Sequence, residues 1–167
     1  MTMQPSSNTQ SARTALIVAA LVIGADQASK LLALGQLELH RVVEVMPGFN
    51  LFLTQNTGVS FSFLQGLSPA IVTLVNLLVL AVVIWFWRRE PRPTWVHHMA
   101  FGAIMGGAIG NIIDRVRLGY VIDFISLYAF DWYFAIFNIA DTAITLGAIL
   151  LVVNLFLAAA PDERIKD

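Results

Sequence analysis

The sequence predicts an all-α membrane protein with four transmembrane helices and a small extracytoplasmic β-rich segment. Three observations lead to this prediction: 57% of the 167 residues are hydrophobic, only 13% are charged, and the mean hydropathy is +0.74. Soluble globular domains are far less apolar, and here the sparse charges leave four long uncharged or nearly uncharged runs. The composition therefore argues strongly against a water-soluble protein.

The apolar runs predict membrane spans at about 14–34, 69–87, 96–113 and 138–159. Together they make one four-helix membrane domain over 14–159, preceded by a disordered cytoplasmic N-terminus (1–13) and followed by a cytoplasmic tail (160–167). The first run contains Asp26 and Lys30 and is not followed by an A-x-A cleavage site. We therefore interpret it as an uncleaved helix rather than a signal peptide.

The distribution of Lys and Arg near the helix ends predicts the orientation in the membrane. The side that holds both termini carries six of these residues and the other side four, which favours cytoplasmic termini. The extracytoplasmic segments are then about 35–68 and 115–137. In the first, β-branched and aromatic residues over 42–45 and 49–54 flank Pro47-Gly48, a pattern that predicts a small sheet near the membrane surface.

Several classes of protein are disfavoured by composition. A net charge of −1 offers no basic excess for nucleic acid, and a chain without Cys has neither disulfides nor thiolate chemistry. A zinc protease is also disfavoured, because there is no H-E-x-x-H motif and only His40 lies on the outer side. Gly58-Val59-Ser60 lacks the closing glycine of a nucleophile turn, and the neighbours Ser29 and Lys30 do not face each other on a helix. No metal or organic cofactor is expected.

Most polar residues within or beside the predicted helices lie at one end of them, on the outer side. They are Asp26 and Lys30 in the first helix, Asn111, Asp114 and Arg115 in the third, and Asn138 and Asp141 in the fourth. Such residues are costly in a membrane, so a functional site is the leading hypothesis and anchoring of helix ends is the alternative. Asp26 and Lys30 are spaced i, i+4 in the order that favours an ion pair.

The third helix also carries a stripe of small residues, Gly102, Gly106 and Gly110. This small-xxx-small pattern allows another helix to approach closely. One more turn of the same stripe reaches Asp114. The helix that packs on the glycines is therefore expected to bring its own end next to this carboxylate.

Two further carboxyl groups are the best candidates for chemistry. Asp123 lies in the apolar run Tyr120-Val121-Ile122-Asp123-Phe124, which favours its neutral form, whereas Asp141 begins the last helix, where the dipole favours an anion. Two carboxyl groups that differ in this way can act as acid and base. Helix capping by Asp141 and a solvated loop position for Asp123 are the alternatives, and spacing alone does not show that the two residues meet.

Five short motifs resemble those of the bacterial lipoprotein signal peptidases, also called signal peptidase II, and follow the same order. They are Asp26-Gln27-Ala28-Ser29-Lys30, Gln55-Asn56-Thr57-Gly58 with Phe61-Ser62, Gly110-Asn111-Ile112-Ile113-Asp114-Arg115, Val121-Ile122-Asp123-Phe124, and Phe137-Asn138-Ile139-Ala140-Asp141. The resemblance spans about 15–156. Val59-Ser60 stand where the family more often has two alanines.

The resemblance implies an aspartic endopeptidase of the bacterial inner membrane, with its site facing the periplasm. Its substrates would be prolipoproteins with diacylglycerol on a cysteine, cut just before that cysteine, and its other contacts membrane lipid. Matched position by position, Asp123 and Asp141 would be catalytic. The residues that bind substrate or support the site would be Asp26, Lys30, Asn56, Gly58, Asn111, Asp114, Arg115 and Asn138.

In this hypothesis the ionised aspartate takes a proton from water while the neutral one protonates the oxyanion. A monomer is expected. The alternatives are a small proton-coupled membrane transporter and a structural membrane adaptor. A transporter would place ionisable groups near mid-bilayer and often shows internal repeats, whereas here the acids cluster at one edge and no repeat is evident.

Overall fold

The computed structural model describes residues 7–58, 68–90 and 93–159. This part of the chain contains four helices, α1 (Ser7–Gln36), α2 (Pro69–Arg89), α3 (Trp95–Leu118) and α4 (Ile139–Ala159). It also contains four strands, β1 (Val42–Met46), β2 (Phe49–Asn56), β3 (Val121–Ala129) and β4 (Trp132–Tyr133). The strands pair antiparallel in chain order, and each helix includes a stretch long and apolar enough to cross a membrane. The predicted fold class is confirmed.

Capping interactions define both ends of α3. α3 runs past the predicted end at 113 and stops at Gly119, whose φ of 84° is left-handed and whose N–H donates to the Arg115 carbonyl. At the other end of α3 the Thr94 side chain accepts from the His97 N–H. α1 begins at Ser7, within the segment predicted to be disordered.

Some of the predicted features lie outside the described residues. These are the first six residues, the tail over 160–167, and the motif positions Val59-Ser60 and Phe61-Ser62.

α3 is the central helix, with α1 and α4 packed against different faces of it. Small residues make both contacts close. A Cβ on Gly106 would lie 2.8 Å from the Ala19 carbonyl oxygen of α1, and a Cβ on Gly107 would collide with the carbonyl oxygen of Ala140 in α4. The glycine stripe therefore receives α1, and Lys30 in the last two turns of α1 lies beside Asp114, as predicted for the packed helix.

The lipid-facing surface is apolar. Large side chains such as Leu21, Leu74 and Leu155 are each about two-thirds exposed, and no aqueous protein would leave so many in water. Four such helices make the chain a multi-pass membrane protein.

The sheet covers the C-terminal ends of α1 and α3. β1 and β2 form the hairpin predicted from the sequence, with its turn at Gly48, whose φ is 88°. β3 pairs with β2 and was not predicted. One side of the sheet packs on the end of α1 through a small core of Ala33, Leu53, Ile122 and Phe124. This packing holds β3 over the polar helix ends.

Candidate active site

The innermost polar group of the site is the ammonium of Lys30, which is 1% exposed. It lies 2.8 Å from carboxylate oxygens of both Asp26 and Asp114, and it donates to Asn111 Oδ1 at 3.0 Å. The three ammonium protons therefore have three acceptors. The pair predicted from the i, i+4 spacing exists, and Asp114 extends it from α1 to α3.

The two carboxylates that hold Lys30 also bind backbone N–H groups of neighbouring elements. Asp26 accepts from the N–H of Ala140 at the start of α4 (3.0 Å), and Asp114 accepts from the N–H of Ile122 in β3 (3.2 Å). Asp26 fits here because α3 has Gly110, where a Cβ would lie 2.5 Å from Asp26 Oδ2. This buried cluster thus joins α1, α3, α4 and the sheet.

Two asparagines connect the cluster to the remaining carboxyl groups. Asn111 Nδ2 donates to Asp141 Oδ1 at 2.8 Å, while its Oδ1 accepts from Lys30 and from Asn138. Asn138 is fully buried, and its Nδ2 donates to Asp123 Oδ1 at 2.7 Å. Each amide therefore has a fixed orientation, which sets the direction of both carboxyl groups.

Asp123 lies in β3 and is 1% exposed. Its second oxygen accepts from Asn56 Nδ2 at 2.8 Å, and the Asn56 side chain is itself held by the N–H of Gly58 at 2.9 Å. Burial raises the pKa of Asp123 from 3.8 to about 7, and the charge of Asp141 acts in the same direction. The hydrogen bonds from Asn56 and Asn138 oppose this rise. The solvated loop position considered for Asp123 is wrong.

Asp141 is the third residue of α4 and forms a reciprocal cap with Asn138. The N–H of Asp141 donates to Asn138 Oδ1 at 3.0 Å, and the N–H of Asn138 donates to Asp141 Oδ2 at 3.3 Å. The capping role considered for Asp141 is thus present. Asn138 also holds Asp123 through its side chain. The residue that caps α4 with Asp141 therefore also links Asp141 to Asp123.

Gly58 and Arg115 stand at the edge of this network. Gly58 has a φ of 106°, and a Cβ there would lie 3.1 Å from the Val72 side chain, so a larger residue would disturb the turn that holds Asn56. The Arg115 guanidinium is within electrostatic range of Asp114, Asp123 and Asp141. Among the described residues, Arg115 forms no salt bridge with these three carboxyl groups. Its guanidinium N–H groups can therefore donate to a bound molecule.

A pocket of about 300 Å³ opens beside Asp141, which is half-buried. Phe134, Phe137 and Leu146 make most of its wall, with Thr142 and Thr145 on the same helix as the carboxylate. An apolar pocket lined by one carboxyl group suits an extended apolar peptide. In the described part of the chain, no group of three or more His, Asp or Glu side chains could hold a metal ion.

The structure brings together the residues singled out in the sequence. Hydrogen bonds and ion pairs link them in one network, with Gly58 attached through Asn56 and Arg115 through its charge. Sequence reasoning missed Gln27, whose Nε2 donates to Asp114 Oδ1 at 3.0 Å and to the Gly110 carbonyl at 3.2 Å. Its position beside Asp26, on the helix that packs on the glycine stripe, was the available signal.

Comparison with known proteins gives one consistent result. A family model described as signal peptidase (SPase) II matches residues 18–157. A lipoprotein signal peptidase of Sinorhizobium fredii is 39% identical over 150 residues, covering 90% of this chain and 89% of the relative. One of Pseudomonas syringae pv. tomato is 40% identical over 168 residues, covering 96% of each.

A solved structure described as a bacterial membrane enzyme superposes with a TM-score of 0.79 at 28% identity. It covers 92% of this chain and 93% of that one. The fold and the length of the matched region therefore agree with the sequence relatives.

Proposed function

Since this chain belongs to the signal peptidase II family of proteases, we propose that it removes signal peptides from lipoprotein precursors by means of an aspartate pair, Asp123 and Asp141. One observation supports the pair above all: a single buried residue, Asn138, holds Asp123 with its side chain and Asp141 with its backbone N–H. The two carboxyl groups therefore border the same space.

The charge balance of the site favours proton uptake by its carboxyl groups. The network contains four carboxyl groups, Asp26, Asp114, Asp123 and Asp141, against the two cations Lys30 and Arg115. Lys30 contacts the first two directly and offsets one of their two negative charges. Asp123 and Asp141 are within electrostatic range of each other and of both cations, and two carboxyl groups that share a site in this way can share a proton. The pair titrates as a unit.

In this proposal the two members have different roles. Asp141, at a helix N-terminus and open to the pocket, is the ionised member and takes a proton from water as the water oxygen attacks the scissile carbonyl carbon. Asp123, buried and with a raised pKa, donates its proton to the carbonyl oxygen. When the C–N bond breaks, Asp141 returns its proton to the departing amine and the new acid loses a proton to Asp123. Arg115 can donate to a substrate carbonyl beside the reacting one.

The substrate class fits the position of the site. The site lies at the ends of membrane-spanning helices and opens to an apolar pocket, where a hydrophobic signal peptide would end. In this proposal the precursor carries diacylglyceryl-cysteine, whose acyl chains stay in the bilayer. The protein is then a monomer of the bacterial inner membrane with both termini cytoplasmic and the site facing the periplasm. A proton-coupled transporter finds no support, because the buried charges of the described residues gather at one membrane edge.

A cleavage assay in bilayer discs tests this function. The purified protein is expected to cut a precursor that carries diacylglyceryl-cysteine just before that cysteine, as measured by the masses of both products. The same precursor without the lipid is the matched control and should be cut at least about 10-fold more slowly, because it lacks the bilayer anchor. No cleavage of either precursor would contradict the proposal, and equal cleavage of both would remove its lipid requirement.

The rate is also expected to fall as pH rises through about 7. Only the protonated Asp123 can act as the acid, and its pKa is about 7 in the folded protein against an ordinary 3.8. Above pH 7, kcat/KM should therefore decline about tenfold for each pH unit. Between pH 3.8 and about 7 the folded protein also holds a proton that the unfolded chain has lost. The free energy of unfolding should therefore decrease as pH rises through that window. A kcat/KM that stays constant from pH 6 to 9 would contradict a proton-donating Asp123.

A further inference from the structure

The sheet carries a second cavity, of about 270 Å³, whose lining residues do not include Asp141. Its polar floor consists of Asn50 and Ser126, which are 6% and 5% exposed and stand opposite each other on β2 and β3. Phe52 and Tyr133 contribute apolar walls. The proposed catalytic mechanism does not use this cavity.

Asn50 has an unusual feature. Its Oδ1 is buried and accepts no hydrogen bond from any residue that the structure describes. Buried carbonyl oxygens almost always have a donor, and one without is costly to the fold. Because Asn50 lines the cavity, a molecule bound there can supply the missing N–H or O–H. The cavity therefore resembles a binding site with one fixed acceptor.

The position of the cavity relates it to the aspartate pair. Phe134 is a wall of both this cavity and the pocket beside Asp141. Ser126 follows Asp123 by three residues in β3, which corresponds to about 10 Å at the rise of a strand. An extended peptide covers that distance in about three residues. A peptide cut at the aspartates is thus long enough to reach the cavity that Asn50 and Ser126 line.

The walls indicate which chemistry fits. None of the residues that line the cavity is charged, and most are aromatic or aliphatic. A neutral segment that presents an apolar side chain and one hydrogen-bond donor matches them. The backbone N–H of an extended apolar peptide has this combination, whereas a phosphate or carboxylate would meet an acceptor and no cation.

We propose that Asn50 and Ser126 form a positioning subsite that accepts a hydrogen bond from a backbone N–H of the substrate peptide, about three residues from the scissile bond. The inference rests on the proposed function, because it assumes a peptide cut at Asp123 and Asp141. Asn50 acts on binding and orientation and does not touch the reacting atoms.

Steady-state kinetics of Asn50→Leu provide the first test. Leu has nearly the shape of Asn but no acceptor, so KM should rise about tenfold, equivalent to about 1.4 kcal/mol, with kcat within about twofold of wild type. Asn50→Asp keeps an acceptor oxygen and should restore KM to within about threefold. Asn76→Leu, the same substitution in α2 and remote from the sheet, is the control and should leave both constants unchanged.

Precursors N-methylated at one residue after another make the test independent of folding defects. In the wild-type protein, methylation about three residues from the scissile bond should raise KM about tenfold, and Asn50→Leu should abolish that penalty. The subsite is overturned if no such position exists or if the penalty persists unchanged in Asn50→Leu. Failure of the wild-type protein to cut the unmethylated precursor would instead overturn the proposed function.

Discussion

Replacing either member of the aspartate pair, as Asp123→Asn or Asp141→Asn, is expected to lower the rate of precursor cleavage by about 10³-fold or more. Asn has nearly the same shape as Asp but can neither take a proton from water nor donate one to the oxyanion. Because both steps need a titrating group, the two single variants should be about equally inactive. Combining them should add little, since each alone already removes the shared proton.

Loss of activity must be separated from loss of structure. Asn at 123 or 141 leaves one N–H donor of a neighbouring asparagine without its acceptor oxygen, at a cost of about 1–3 kcal/mol. Both variants should therefore remain folded, with a thermal midpoint only a few degrees lower. Asp131→Asn is the matched control, because Asp131 is exposed at the β3–β4 turn. Asp131→Asn should cleave at the wild-type rate. A comparable loss of activity in that variant would show that the loss is not specific to Asp123 and Asp141.

Lys30→Met is expected to have the largest effect on stability. Met replaces the long side chain without its charge and leaves Asp26 and Asp114, both at most 2% exposed, facing each other unpaired. Breaking a buried ion pair in this way costs about 3–5 kcal/mol. For a chain of this size that corresponds to a thermal midpoint lower by roughly 10 °C, measured in detergent or bilayer discs.

A compensated variant provides the control for this prediction. Adding Asp26→Asn and Asp114→Asn to Lys30→Met removes all three charges together, so no buried charge remains without a partner. The triple variant should regain most of the lost stability. If Lys30→Met alone were as stable as wild type, Lys30 would not be the centre of the network. If the triple variant were less stable than Lys30→Met, charge balance would not be the cause.

Local spacing was enough to predict the parts of the site that lie on helices. A helix repeats every 3.6 residues, so the i, i+4 pair Asp26 and Lys30 and the stripe from Gly102 to Asp114 followed directly from the sequence. Because small residues allow a neighbouring helix to approach closely, the stripe also predicted that the end of the packed helix would reach Asp114. In the structure that helix is α1, and its Lys30 contacts Asp114.

The parts that depend on the sheet could not be predicted in this way. Asn56 and Asp123 are 67 residues apart and meet only because β2 pairs with β3. Their register includes an irregularity between Leu51 and Thr54, which sequence periodicity does not specify. β3 itself is rich in β-branched and aromatic residues, a composition typical of a strand. The resemblance to a family supplied Asn56, where spacing alone would not have done so.

Single-turnover cleavage of a lipidated precursor by Asp141→Asn, beside wild-type protein at the same excess of enzyme, most directly tests catalysis by the aspartate pair. Excess enzyme removes product release from the rate, so the measurement reports the chemical step. We predict complete conversion by wild type and a rate about 10³-fold lower for a folded Asp141→Asn. A folded variant that converts the precursor within about threefold of the wild-type rate would contradict the catalytic role of Asp141 and, with it, the pair.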